Sequence, residues 1–260
     1  MTMPIHFETY GKGTHDIVVC NGLSQSTANW RGIARHFPQF RWILFDARGH
    51  GKSLVRKRPY CLDDHVEDLH FVLNHVELQG KPLVMGFSHG ARVALRAAAN
   101  HANWFSGLVL VSCGSVMNAR RRAFVNSWEQ CLKIGGVRAM AWASLPSIVG
   151  NKILEKFPDL EFLIRGSVSR NHEEGLLAMF EGMATYPPPK EDAVRVTLPT
   201  LILHGGEDPL VLENDVHNFT NWIEGSTART FHDCGHTLPL EEPGRFMEAI
   251  EHFMNDHVRS

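Results

Sequence analysis

The run Gly86-Phe87-Ser88-His89-Gly90 joins an apolar segment, Pro82-Leu83-Val84-Met85, to an alanine-rich one, Ala91-Arg92-Val93-Ala94-Leu95-Arg96-Ala97-Ala98-Ala99. The first segment has the make-up of a buried strand and the second that of a helix, so the chain passes from strand to helix over five residues. So sharp a turn strains the backbone of its central residue and draws neighbouring segments close. A side chain at position 86 or 90 would collide with them, which gives both glycines a steric reason. Ser88 at the apex is thereby presented as a nucleophile. A lone G-x-S-x-G is cheap in a chain with 22 glycines. The reading therefore requires a base, a carboxylate to orient the base, and donors for a developing oxyanion.

Downstream, Leu198-Pro199-Thr200-Leu201-Ile202-Leu203-His204 reads as a buried strand leading into Gly205-Gly206-Glu207-Asp208-Pro209. Asp208 precedes a proline, which holds it in an extended or turn conformation at the carboxyl end of the strand. Glu207 is its local competitor. A second short strand, Ala228-Arg229-Thr230-Phe231-His232, is followed by Asp233-Cys234-Gly235-His236, and then by a helical pattern with apolar Phe246, Ile250 and Phe253. His236 thus falls on a strand-to-helix loop. Position singles it out among 16 histidines, of which His204, His217 and His232 are near neighbours. For the oxyanion, the strand Asp16-Ile17-Val18-Val19-Cys20 ends in Asn21-Gly22-Leu23-Ser24, which makes the backbone amides of Leu23 and His89 the candidate donors. Asn-Gly is also an ordinary turn signal.

Strand candidates near residues 5–9, 16–20, 41–45, 82–87, 107–112, 199–204 and 228–232 alternate with helical patterns, as in a mainly parallel sheet covered on both faces. Leu62, Val66, Leu69, Leu73 and Val76 repeat at helical spacing and read as the buried face of one helix. From Ser115 to Lys190 the alternation stops, and the segment reads as helices punctuated by Pro146, Pro158 and Pro187-Pro188-Pro189. Trp128, Met140, Trp142, Phe162, Met179, Phe180 and Met183 there either line an apolar acyl pocket or pack the insertion onto the rest. This segment holds ten Lys or Arg against seven Asp or Glu. Arg120, Arg121, Arg122 and Arg138 are its candidate sites for an anionic substrate or carrier, with a solvated helix face as the alternative.

Phe45-Asp46-Ala47-Arg48-Gly49-His50-Gly51-Lys52-Ser53 resembles the D-x-R-G-x-G-x-S segment of the α/β-hydrolase superfamily, and Gly235-His236 through Glu242-Pro243 resembles its histidine loop. With the serine turn, three motifs occur in the family's order over nearly the whole chain. The resemblance implies an α/β fold with a mostly parallel central sheet, helices on both faces and a helical cap. The core would comprise 1–114 and 191–260 and the cap 115–190. It further implies Ser88 as nucleophile, Asp208 as acid and His236 as base of a carboxylic ester hydrolase that needs neither metal nor organic cofactor. Asn21-Gly22 stands where many relatives have His-Gly. An elbow serine disfavours dehalogenases and epoxide hydrolases of this fold, which use aspartate. Asn21-Gly22-Leu23 with the run from Phe45 through Leu54-Val55 looks like the 3-oxoadipate enol-lactonases, whereas the basic insertion suits the biotin-pathway esterases, which act on a pimeloyl methyl ester on acyl carrier protein. An acyltransferase or a slow-turnover ligand receptor is the remaining alternative.

A chain of 260 residues with 43% hydrophobic and 21% charged residues suits one main domain, and its net charge of -2 offers nothing to nucleic acid or anionic membrane. Five cysteines, odd in number and without a C-x-x-C pair, argue against disulfides or a zinc knot. Met1-Thr2-Met3-Pro4-Ile5-His6 lacks a basic-then-apolar leader, and no run of 18 apolar residues occurs, so a cytoplasmic protein is expected.

Overall fold

The computed structural model describes residues 5–53 and 59–258; Met1–Pro4 and the Leu54-Val55 end of the lactonase-like run lie outside them. The described residues form a seven-stranded sheet of β1 (Phe7–Tyr10), β2 (Asp16–Cys20), β3 (Arg41–Phe45), β4 (Leu83–Phe87), β5 (Gly107–Val111), β6 (Thr200–Gly205) and β7 (Thr227–Phe231). Their spatial order is β1-β3-β2-β4-β5-β6-β7, with β1 antiparallel to β3 and every other pairing parallel.

The inner strands are continuous apolar runs because both faces of the sheet are covered. Ile17 and Val19, Leu83 and Met85, and Val109 and Val111 face one cluster. Trp30, Ile33 and Ala34 of α1 (Thr27–His36) and Phe246, Met247, Ile250 and Phe253 of α11 (Pro243–His257) fill it from the helix side. Alternate residues Val18, Val84, Leu108 and Leu110 face the opposite cluster, closed by α2 (Leu62–His75) and α3 (His89–Asn100). On α2, Leu62, Val66, Leu69, Val72 and Leu73 are buried, each worth about 1.5–3 kcal/mol relative to exposure. Val76 is the extended cap of that helix rather than part of it. β7, at the sheet edge, buries only Phe231 fully.

Between β5 and β6 run α4 (Ala119–Ile148), α5 (Asn151–Lys156), α6 (Leu160–Val168), α7 (Glu173–Met183) and α8 (Pro189–Ala193). α9 (Glu213–Trp222) follows β6, and α10 (Leu238–Glu241) precedes α11. Pro146 does not punctuate the helices as its identity suggested, since α4 continues through it for two further residues. The break falls instead at Gly135–Gly136, where Gly136 adopts φ 66° and ψ −167°, a conformation open in practice only to glycine. Among the described residues no helix is long and apolar enough to cross a membrane.

Candidate active site

β4 delivers Ser88 at φ 53° and ψ −113°, and α3 begins with the next residue. Ser88 is fixed there by its N–H, which donates to Val111 O at 2.9 Å. The glycines answer to a measurable lack of room. A Cβ on Gly86 would lie 2.3 Å from Gly90 O, and one on Gly90 would lie 2.0 Å from Cys20 O. The second contact seats the first turn of α3 against the end of β2, which brings Leu23 and His89 to the same edge of the sheet.

The loop after β6 carries Asp208 and the loop after β7 carries His236. Asp208 Oδ1 accepts from the amides of Leu210 and Val211 at 2.8 and 3.1 Å, while Oδ2 lies 2.7 Å from His236 Nδ1. His236 Nε2 in turn lies 2.9 Å from Ser88 Oγ. Asp208 and His236 are buried and Ser88 is partly open. A carboxylate on Nδ1 favours the tautomer that leaves Nε2 free to accept from the serine hydroxyl. Glu207 is turned elsewhere and accepts weakly from Asn151 at 3.4 Å. Of the other histidines, His204 Nε2 meets Val211 O, and His217 and His232 are exposed.

The Leu23 and His89 amides donate to no acceptor among the described residues. The loop bearing Leu23 is shaped by Gln25, whose side chain accepts from the amide of Gly22 at 3.1 Å. Asp46 supports it from below, accepting from the amides of Thr27 at 2.6 Å and Lys52 at 2.8 Å. Gly51, at φ 53°, leaves room for that carboxylate, since a Cβ there would meet Asp46 Oδ2 at 2.1 Å. The motif containing Asp46 was visible in the sequence, but its part as a brace for the neighbouring loop was not.

Behind the serine, burial keeps imidazoles neutral. His89 is pushed down to about 3, chiefly by desolvation, and its Nε2 pairs with Tyr186 OH at 3.0 Å. His65, its ring 5.1 Å from that of His89, and buried His50 are lowered for the same principal reason. Desolvation also pushes the buried Cys113 thiol up to about 12, which keeps it protonated at neutral pH. Nothing local in the sequence pairs His89 with Tyr186, 97 residues away.

Over this edge, Trp128, Leu132, Met140, Leu176 and Phe180 of the insertion pack with Leu23 and with Leu210 and Val211, whose amides donate to Asp208. Trp142 and Phe162 do not join them; both are exposed, at 40% and 61%. Among the four arginines proposed for anion binding, Arg120 and Arg122 are exposed. Arg121 is committed inside the fold, to Leu210 O, Val116 O and Asp215. Arg138 holds Glu161 through two bonds of 2.7 and 2.8 Å. The hollow of about 590 Å³ that Arg138 borders is bordered also by Glu173 and Glu174, so it is not a cationic surface.

This sheet, with a serine at the sharp turn after β4, is the α/β-hydrolase fold, and residues 17–133 match the alpha/beta hydrolase fold family model. The chain is 26% identical to a Bacillus subtilis protein provisionally named as a 2-succinyl-6-hydroxy-2,4-cyclohexadiene-1-carboxylate synthase, over 94% of this chain and 92% of that one. It is 24% identical to the pimeloyl-[acyl-carrier protein] methyl ester esterase of Vibrio vulnificus, over 97% and 99% of the two chains. Among solved structures, the enol-lactonase of Burkholderia xenovorans superposes with a TM-score of 0.86 at 20% identity, covering 96% of each chain, a likeness of fold.

Proposed function

We propose that this protein is a serine hydrolase that cleaves a carboxylic ester through an acyl-enzyme. One observation carries the reading: an unbroken chain from Asp208 through His236 to Ser88, with contacts of 2.7 and 2.9 Å, on a serine held at positive φ. Ser88 Oγ attacks the ester carbonyl as its proton passes to His236 Nε2. Asp208 holds the imidazole in register and stabilises the imidazolium. The amides of Leu23 and His89 receive the oxyanion, each worth on the order of 3 kcal/mol of barrier. Collapse expels the alcohol, which takes the proton from His236. Water then gives its proton to the same nitrogen, attacks the acyl carbon and releases the acid, leaving Ser88 protonated again.

The apolar wall of Trp128, Met140, Leu176 and Phe180 beside Leu23 supports an ester with a hydrocarbon acyl part. A pimeloyl methyl ester on acyl carrier protein is the proposed substrate on which the basic insertion bears, through exposed Arg120 and Arg122. The unpaired state of the five cysteines supports a cytoplasmic setting. A panel of short p-nitrophenyl esters, free methyl esters, lactones and carrier-linked methyl esters tests this. The reading expects ester turnover that Ser88→Ala abolishes, and a preference for the carrier-linked ester that the Arg120→Ala/Arg122→Ala variant removes. Lactone turnover exceeding that of every ester would instead assign a lactonase. Serine labelling without turnover would assign a transferase or receptor.

A further inference from the structure

The backbone around His236 is held at three successive residues. Ser112 donates from its hydroxyl to His236 O at 2.9 Å. On either side, one carboxylate serves both neighbours: the amide of Gly235 donates to Glu241 Oε2 at 2.9 Å, and the hydroxyl of Thr237 donates to Glu241 Oε1 at 3.0 Å. Charge-assisted bonds of this kind are about twice as strong as neutral ones. Glu241 therefore spans the histidine with one oxygen for each flanking residue.

The insertion closes on that same carboxylate. Gly150, which caps α5, lies so near that a Cβ on it would be 2.0 Å from Glu241 Oε2, and a Cβ on Gly235 would be 2.9 Å from Gly150 Cα. Two residues on, Lys152 donates to Asp233 at 2.6 Å and to Glu242. Asn151 reaches Glu207, the neighbour of Asp208. One corner of the insertion thus bears on both loops that present the acid and the base.

We propose that Glu241 is a positioning residue for His236, held in place by the Gly150–Lys152 corner, so that seating the insertion and aiming the imidazole are one event. The proposal rests on the reading of Ser88 and His236 given above. Glu241 acts through the loop and meets no reacting atom. A displacement of about 1 Å at a reacting group costs on the order of 100-fold in rate. Lys152 contributes less, because its pair with Asp233 is 35% and 50% exposed, and such pairs are worth about 0–1 kcal/mol.

The test compares Glu241→Ala, Glu241→Gln, Gly150→Ala and the two double variants with the wild type on p-nitrophenyl butyrate, with Ser88→Ala as reference. Glu241→Ala should lower kcat by about 10- to 100-fold with KM within about threefold. Glu241→Gln should restore most of that loss, since its amide oxygen can accept from Gly235 while its NH₂ donates to the Thr237 hydroxyl. Gly150→Ala pushes the carboxylate aside, so it should lower kcat alone and add little on top of Glu241→Ala, the mark of coupled groups. A kcat for Glu241→Ala within about twofold of wild type, an equal loss in Glu241→Gln, or losses that multiply in the double variant would overturn the proposal. Should Glu241→Ala fail to fold, Glu241→Gln and its cycle with Gly150→Ala decide. Wild-type turnover in Ser88→Ala would overturn the nucleophile instead; an inactive Ser88→Ala beside a normal Glu241→Ala would overturn only the positioning role.

Discussion

Around Ser88 the backbone is wedged, as it is where α7 meets the core at Gly175 and Gly182, while α4 to α6 are fastened largely through side chains. A methyl group on Gly86 or Gly90 would overlap main-chain atoms at 2.3 or 2.0 Å. The helices α4 to α6, by contrast, show exposed pairs such as Arg138–Glu161 and Lys152–Asp233, exposed Phe162 and Trp142, and a helix broken at two glycines. Steric wedging by backbone leaves no alternative geometry at low cost. Exposed ion pairs exchange with water and are readily traded for others. The groups proposed for bond making sit in the wedged part, whereas Arg120 and Arg122, proposed to choose the substrate, sit exposed on α4.

The sharpest break of this contrast would be a dispensable residue at the wedged site. His236→Ala should reduce kcat/KM on a p-nitrophenyl ester by about 10⁴-fold or more, with the circular dichroism spectrum retained. Gly90→Ala comes next: the added methyl must displace the end of β2, so calorimetry should show a loss of about 3 kcal/mol or more, a fall in Tm of about 6–12 °C for a chain of this size.

A third effect lies at the boundary between the regions, where His89, its ring 5.1 Å from that of His65, meets Tyr186 of the insertion. These imidazoles and His50 have folded pKa values depressed by burial, His89 to about 3, against about 6.5 in the unfolded chain. Between those values the unfolded state binds more protons, so stability present above about pH 6.5 is lost as the pH falls. Tm should drop between pH 7 and pH 5, and His65→Leu should flatten that slope; a Tm independent of pH in this range would show that the imidazoles are not held neutral. The smallest effect belongs to the outer face of the insertion, where Phe162→Ser should change stability by no more than about 0.5 kcal/mol.

The strands and the serine turn were legible because each leaves a local mark. Strands buried on both faces are continuous apolar runs, so the expected 82–87 and 107–112 became Leu83–Phe87 and Gly107–Val111. The turn requires glycine at fixed offsets. What was not legible depends on partners distant in the chain. Arg121 looked like a free cation in a basic run, yet its guanidinium is taken up by Asp215, 94 residues on. Trp142 and Phe162 have the composition of packing residues, but on α4 and α6 they remain 40% and 61% exposed. Pro146 carried a strong breaking signal, yet α4 runs two residues past it; the Gly135–Gly136 pair, a weaker signal, is where the helix breaks.

The most direct trial of the central claim is mass-spectrometric mapping of a fluorophosphonate adduct on the wild type, His236→Ala and Ser88→Ala. The account predicts one adduct on the peptide containing Ser88, formed far more slowly without His236 and absent without Ser88, in step with ester turnover. An adduct on another residue, or turnover undiminished in Ser88→Ala, would contradict it.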